Sequence, residues 1–436
     1  MVDPLSVVEP VETTRPLTIG LLIDDSLDRP DGVQQYVLTL GAWLAERGHT
    51  VHYITASTER TDLLNLHVIS RTVKVKFNGN TLGTPRPVSK KAAHALIAEL
   101  DLDVLHVQMP YSPLLAGRVV QAAAGVRSQR RRGQGRTAIV GTFHIYPQSR
   151  LVAIGARALG LIERRRLLLF NNFLAVSEAA QDFARSAFGI DTKVVGNPVD
   201  TAQFVPATDH VILRERRESQ DPESGLDSAT ALAGARATQN DAAGIPHIVF
   251  LGRLVARKGP RELVAALGRL HEETPKLAWR ASIAGHGPLL SDLQALGERL
   301  GIADRLSFPG FIAEEDKAEL LQGADVIALP STGGESFGIS VVEALAAANG
   351  VVLAGDNPGY RTVMRGLEPQ LVNPADTATF TTALRHSLTD LSDSAVRATI
   401  VAAQRKAAQR FDVHIIGEQV EATYRSTLQS RARSSN

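Results

Sequence analysis

The stretch GGESFGISVVEALAAANG (333–350) carries two carboxylates, Glu335 and Glu343, with seven residues between them and a pair of glycines in front. DVIALPS (325–331) before it has the apolar run of a buried strand, and ISVVEALAAAN after it has the spacing of a helix. Gly333, Gly334 and Gly338 make the intervening loop compact and turn backbone N–H groups toward a helix N-terminus, which is a seat for a diphosphate. A carboxylate beside a phosphate seat is electrostatically awkward. Glu335 is therefore expected to hydrogen-bond hydroxyls, as a sugar or ribose requires. Glu343, about one turn into the helix, is expected to face the same cleft, although taken alone it reads equally as a helix-face charge. Ser336, Phe337 and Ile339 complete the candidate donor-binding run.

Three further loops have matching chemistry. FLGRLVARKG (250–259) ends a strand at Gly252 and places Arg253 and Lys258 on the loop before a helix. Arg as a planar fork and Lys as a point charge suit a diphosphate, and a solvated basic loop is the other reading. In IAGHGPLLSDLQAL (283–296), Gly285 and Gly287 are read as allowing backbone to approach a ligand, with His286 an exposed accident. Gly32, in RPDGVQQYV, opens a helix whose free N–H groups and positive dipole end favour an anion.

Such loops need strands to aim them. LTIGLLID (17–24), TVHYIT, DVLHVQ (103–108), AIVGTFH (138–144) and NFLAVS (172–177) are short apolar runs, each followed by a helical pattern. KVVGNPVDTAQFVPA (193–207) slows this alternation, and a polar, alanine-rich insert follows from about 208 to 244. Alternation restarts at PHIVFLGRL (246–254) and continues through WRASIAGHG (279–287), RLSFPGF (305–311), DVIALPS, GVVLAG (350–355) and QLVNP (370–374). Two consecutive doubly wound α/β units account for this pattern, and 436 residues exceed what one core organises. Ligands then bind outside the carboxyl ends of the strands, where the loops above lie.

Composition narrows the classes. Zero cysteines exclude disulfides, thiolate metal sites and cysteine nucleophiles, and a formal charge of +1 gives no whole-protein attraction to nucleic acid. The first sixteen residues lack an apolar signal-peptide core and read as a loose tail. No run approaches the length of a membrane span, so membrane contact would be peripheral. A cytoplasmic protein, peripheral on the inner face of the cell membrane, is the expected location.

GESFGISVVEAL looks like the Glu-x7-Glu signature of retaining glycosyltransferases of family four, and FLGRLVARKG resembles their Arg/Lys diphosphate motif. NPVD and AVSEAA sit where that family has them. Within the family the likeness is to phosphatidylinositol mannosyltransferases, carried by RPDGVQQYV, FNGN (77–80), DLDVLHV (101–107), GTFH (141–144) and GESFGISVVEA. The resemblance implies a GT-B fold, two Rossmann-like doubly wound domains facing across a cleft. Residues 17–200 would form the acceptor-side domain, rejoined by a C-terminal helix near 414–430, and 201–413 the nucleotide-sugar domain. It further implies transfer of a hexose, mannose from GDP-mannose, to a lipid acceptor such as phosphatidylinositol, without a metal or other cofactor. Arg253 and Lys258 would stabilise the departing diphosphate, Glu335 would bind sugar hydroxyls, Glu343 the ribose, Gly32 the donor phosphate, and His144 would lie near the reacting sugar. Ile312, Glu314 and Lys317 align with positions framing a guanine, and Asp28, Gln34 and Asn78 with acceptor-side positions.

The sequence also departs from that pattern. Asp31-Gly32 replaces a Gly-Gly pair, Gln108 in HVQMP replaces a histidine, and NPGYR has no third carboxylate. IYPQSR follows His144 in place of a lysine-containing stretch, with Arg150 as a substitute cation. A soluble sugar or small glycoside as acceptor therefore stays open. So does nucleic-acid binding through RSQRRRGQGR (127–136), against which stand the near-zero charge and the lack of interleaved aromatics. A dinucleotide oxidoreductase is disfavoured, because no G-x-G-x-x-G follows the first strand. Contact with an anionic membrane is suggested by Arg86, Lys90 and Lys91 at the start of an amphipathic helix, and by the clusters at 127–136 and 163–166.

Overall fold

The computed structural model describes residues 15–28, 31–70, 72–77, 80–85, 88–125, 137–146, 150–205, 244–390 and 392–434. The expectations for Asn78, Arg86, the basic run 127–136, the insert up to residue 243 and most of the N-terminal tail fall outside these residues, as does the side chain of Arg150.

The N-terminal half supplies β1 (Thr18–Leu22), β2 (Thr50–Thr55), β3 (Leu66–Val68), a hairpin of β4 (Thr72–Phe77) and β5 (Asn80–Pro85), then β6 (Val104–Gln108), β7 (Ala138–Phe143), β8 (Asn172–Ala175) and β9 (Lys193–Val194). Apart from the hairpin they form one parallel sheet in the order β3-β2-β1-β6-β7-β8-β9. The C-terminal half supplies β10 (His247–Leu251), β11 (Arg280–Ala284), β12 (Leu306–Gly310), β13 (Val326–Leu329), β14 (Val351–Gly355) and β15 (Leu371–Val372), parallel in the order β12-β11-β10-β13-β14-β15. The two α/β units read from the alternation are both present. Their strand order reverses beside β1 and beside β10, the positions where doubly wound sheets open a crevice.

The strands are apolar on both faces because helices cover both sides. In β6 and β7 every residue is buried. The helix Gly32–Glu46 turns Tyr36, Val37, Leu40, Trp43 and Leu44 inward at three- and four-residue spacing.

The chain crosses between halves twice. Val199 N–H donates to the Phe411 carbonyl and Val413 N–H to the Val199 carbonyl, both at 2.9 Å. The last helix, Val413–Ser434, then packs on the N-terminal unit. Trp43 Nε1 donates to His414 Nδ1 at 3.0 Å, and an added Cβ on Gly417 would lie 2.4 Å from that indole, so only glycine fits there. Further along, Tyr424 Oη meets His106 Nδ1 at 2.6 Å, and Asn172 Nδ2 donates to Thr427 Oγ1 at 2.7 Å.

The cluster at 163–166 is not a uniform basic surface. Glu163 is buried with Arg166 at 2.5 Å on its inner side, whereas Arg164 and Arg165 are exposed. Lys90 and Lys91 are both exposed at the start of helix Lys90–Leu100, whose first turn is capped by Ser89 accepting from Ala92 N–H at 3.1 Å.

Candidate active site

The loop after β13 is tied to the loop after β10 by backbone contacts. Thr332 N–H donates to the Arg257 carbonyl at 2.9 Å, and Ser331 Oγ donates to the same oxygen at 2.8 Å. Gly259, with φ +74°, lies so close to Pro330 that a Cβ would sit 2.0 Å from its carbonyl oxygen. Gly338, with φ +106°, ends the β13 loop and opens the helix Ile339–Ala347.

Within this double loop Glu335 is only 9% exposed. Its Oε1 receives Arg257 Nη1 at 2.6 Å, Lys258 Nζ at 2.9 Å and Ser331 Oγ at 3.0 Å. Burial pushes this carboxyl up, but Lys258 and then Arg257 outweigh burial and hold it below its ordinary value. It is an anion clamped by two cations. Arg257 was not among the residues picked from the sequence; its only signal was adjacency to Lys258 in ARK. Arg253 lies earlier on the same loop and is exposed.

Glu343, 4% exposed, forms a second node. Lys317 Nζ bridges both its oxygens at 3.1 and 3.2 Å and also reaches Glu314 Oε1 at 2.7 Å. Burial raises Glu343 above the ordinary range, Lys317 opposes this and Glu314 reinforces it. On Lys317, burial is outweighed by Glu343 and Glu314, so it stays a cation. The residues expected to frame a base are thus first of all partners of Glu343. Ile312 is 5% exposed, with its side chain in the core.

The two halves face each other here. A cavity of about 510 Å³ is lined by Asp28, Gln35, Arg60 and Asp200 from the N-terminal side and by Ile339 and Glu343 from the C-terminal side. A Cβ on Gly32 would lie 3.4 Å from Ile339 Cδ1, so that helix start points across the cleft at the start of the helix behind Glu335. Ser336 is held from the opposite domain: Tyr146 N–H donates to its Oγ at 3.0 Å, and Ser177 Oγ donates to its carbonyl.

His144, at the end of β7, is 6% exposed, and its Nε2 is 2.7 Å from Gln108 Oε1. Gln108, the departure in HVQMP, thereby becomes the residue that orients His144. Burial, with a smaller contribution from His106, pushes His144 down to about 3. His144 therefore acts as a neutral hydrogen-bonding ring. Tyr36 packs edge-on against it, with ring centroids 4.9 Å apart.

Several of the residues expected to meet a ligand also have contacts within the protein itself. A Cβ on Gly285 would lie 1.9 Å from the Gly252 carbonyl oxygen, and one on Gly287 2.3 Å from that of Leu254, so these glycines admit neighbouring backbone. Phe337, 2% exposed, packs edge-to-face on Phe411 at 5.0 Å. Asp28 accepts from Ser26 Oγ, Thr58 Oγ1 and, at 2.8 Å, Glu59 N–H. Burial raises this carboxyl, and those hydrogen bonds bring it below its ordinary value. Gln34 is 3% exposed and donates to the Ser26 carbonyl at 3.1 Å, so the neighbouring Gln35 is the glutamine on the cavity wall. Among the described residues no group of three or more His, Asp or Glu is placed to hold a metal ion.

Comparison with known proteins finds matches to both halves of the chain. A family model described as Glycosyltransferase Family 4 matches residues 30–203, and one described as Glycosyl transferases group 1 matches residues 245–390. The chain is 29% identical over 430 residues to a phosphatidyl-myo-inositol mannosyltransferase of Mycobacterium tuberculosis, covering 96% of this chain and 99% of the relative. It is 33% identical over 251 residues to a D-inositol 3-phosphate glycosyltransferase of Corynebacterium urealyticum, covering 51% and 58%. The structure of Anabaena HepE in complex with UDP and glucose superimposes with a TM-score of 0.63 at 19% identity, over 94% of this chain and all of that one, a likeness of fold.

Proposed function

The chain belongs to the family-four glycosyltransferases, on the two-domain GT-B fold, and from that membership we propose that it transfers mannose from GDP-mannose to a membrane lipid acceptor such as phosphatidylinositol, with retention at the anomeric carbon. The observation that carries this reading is Glu335 clamped by Arg257 and Lys258 in front of the helix Ile339–Ala347, whose Ile339 and Glu343 line the cavity shared with the N-terminal half. Likeness to a phosphatidyl-myo-inositol mannosyltransferase along nearly the whole chain supports the choice of sugar and acceptor.

In this reading the diphosphate sits at the N-terminus of that helix. Lys258, Arg257 and Arg253 take up the charge that grows on it as the bond to the anomeric carbon breaks. That is why the proposal includes no metal, and transfer is expected to survive EDTA. Glu335, kept ionised, accepts hydrogen bonds from sugar hydroxyls, and Glu343 from the ribose. Lys317 and Glu314 flank the base. His144, held neutral by burial and oriented by Gln108, hydrogen-bonds near the reacting carbon without adding charge. The acceptor oxygen enters from the N-terminal side, on the face the diphosphate leaves. The ties from Tyr146 and Ser177 to Ser336 keep the two halves together and exclude water during transfer.

A second reading keeps this donor chemistry and gives it a soluble acceptor. It is favoured by the likeness to a D-inositol 3-phosphate glycosyltransferase, and by Asp28 and Gln34 being engaged by the protein itself, Asp28 by Glu59 N–H and Gln34 by the Ser26 carbonyl. The test is product analysis by mass spectrometry with GDP-mannose, UDP-glucose or ADP-glucose as donor, and phosphatidylinositol vesicles or inositol phosphate as acceptor. Mannosylated phosphatidylinositol from GDP-mannose alone supports the proposal. Product only on inositol phosphate selects the second reading, and product only from UDP- or ADP-glucose discards the mannose assignment.

A further inference from the structure

Strands of a parallel sheet are covered on both faces and are normally apolar on both. β11, with the sequence RASIA, departs from that. Ala281 and Ile283 join the core with Leu263 and Leu267, whereas Arg280 and Ser282 alternate to the opposite face. On that face a polar row crosses three strands. His247 Nε2 lies 2.8 Å from Ser282 Oγ, which lies 2.8 Å from Ser307 Oγ. His247 and Ser282 are both buried, and burial, aided by Arg280, pushes His247 down to about 4. The row is therefore neutral, and it ends at a cavity.

This cavity, of about 450 Å³, has Trp279, Arg280, Ser282, Asp304, Arg305 and Ser307 in its wall. Its size is that of a site for a small organic ligand, roughly 300–1,000 Å³, and an inorganic ion would leave most of it open. Two cations face it without a carboxylate of their own. Arg280 Nε is buried with no hydrogen-bond partner, and among the described residues neither Arg280 nor Arg305 forms an ion pair. Burial lowers Arg280 from its ordinary value. Asp325, whose charge reaches Arg280, is already held by Arg397 and, at 2.9 Å, by His247 N–H. Arg305 is fixed by stacking 5.2 Å from the centre of the Trp279 ring and by donating to the Leu277 carbonyl at 3.1 Å. Trp279 itself keeps a buried indole N–H with no partner.

An anion answers the two guanidinium groups, as a planar fork suits phosphate. Asp304 would repel a bare anion set beside it, but its carboxylate accepts from a hydroxyl, and Ser307 can do the same or donate. We infer that this cavity binds a phosphorylated sugar or polyol, its phosphate on Arg280 and Arg305 and its hydroxyls on Ser307 and Asp304. The site is separate from the donor site. Arg280 opens β11, and the other end of that strand leads to Gly285 among the donor loops, so the cavity lies at the opposite end of the sheet from Glu335. The inference does not depend on which sugar the enzyme transfers.

The test is calorimetric titration of the full chain with mannose 6-phosphate, inositol 1-phosphate, inorganic phosphate and mannose. The chain has two tryptophans, so in Trp43→Phe the fluorescence reports on Trp279 alone and places the ligand. At least one of the two organic phosphates should bind saturably and change that fluorescence, with inorganic phosphate weaker and mannose silent. Arg280→Gln combined with Arg305→Gln should weaken binding about tenfold or more. Ser307→Ala, a milder change should the double variant fail to fold, should weaken it about fivefold. Lys258→Ala, in the diphosphate clamp, should bind as the wild type. Thermal unfolding checks that each variant is folded. Four results overturn the inference: neither organic phosphate binds; inorganic phosphate binds as tightly as they do; binding leaves Trp279 fluorescence or the folded arginine and serine variants unaffected; or Lys258→Ala abolishes it, which would assign the ligand to the donor site.

Discussion

Glu335→Gln keeps the shape of the side chain and removes its charge. In the wild type one oxygen serves Arg257, Lys258 and Ser331 within 3.0 Å. The variant would leave two cations facing each other with no counter-ion, at sites where Arg257 and Lys258 keep 25% and 18% of their side-chain exposure. Removing one partner from a fully buried pair costs about 3–5 kcal/mol, and residual hydration of both cations lowers that here to about 2 kcal/mol. In a domain of this size about 2 kcal/mol corresponds to a Tm lower by roughly 4–8 °C. GDP brings the missing negative charge, so adding it should restore most of the loss and raise the variant's Tm more than the wild type's. Transfer should fall, because a hydrogen bond from a sugar hydroxyl to a charged acceptor is worth about 1.5–3 kcal/mol, or roughly 10- to 150-fold in rate. Scanning fluorimetry with and without GDP, combined with initial transfer rates, reads all three quantities. Unchanged Tm together with full transfer would refute both the clamp and the sugar-binding role.

Arg257→Ala should weaken GDP binding by about tenfold, comparably to Lys258→Ala, measurable by calorimetry; a GDP affinity unchanged by Arg257→Ala would leave the diphosphate to Lys258 and Arg253. His106 and His144 are pushed to about 3 by burial from an ordinary 6.5. Below pH 6.5 the unfolded chain therefore takes up protons that the folded chain refuses. Each histidine then removes about 1.4 kcal/mol of stability per pH unit down to its folded value. Denaturation midpoints measured from pH 7 to 4.5 should fall steeply in the wild type and less so in His106→Gln. Glu335 has a depressed value, so its contribution is present above its ordinary 4.5 and is lost only as pH falls further, a separate loss that Glu335→Gln should lack. Gly338→Ala combines a φ of +106° with a Cβ 2.6 Å from the Tyr360 ring. It should cost roughly 2 kcal/mol or more and lower donor affinity; a Tm within one degree of the wild type would show that the loop can relax.

Much of the architecture could be read locally. Strand and helix periods depend on neighbours within a few residues, so β1, β2, β6, β7 and β8 and the alternation of β10 to β15 were visible as apolar runs punctuated by glycine, proline and aspartate. The short β3 and β9 and the hairpin β4–β5 were not read, because so short or isolated a segment carries little periodic signal, although the two-residue β15 lay within the strand read at QLVNP. The glycine loop with Glu335 and Glu343 was equally legible, since its chemistry lies in residue types at fixed spacing.

What the sequence by itself determined, then, was the order of elements, the two parallel units and the residue types at the ends of their strands. What only the tertiary structure decided was partnership. Arg257 meets Glu335 across 78 residues, and His106 meets Tyr424 across 318. Gln35 rather than Gln34 lines the cavity because of how one helix docks, and Glu163 and Arg166 turn inward while Leu161, Ile162 and Leu168 stay out. Local propensity cannot encode such choices. A side chain's partner, burial and charge state follow from which surfaces are brought together when the two sheets, their helices and the returning C-terminal helix pack.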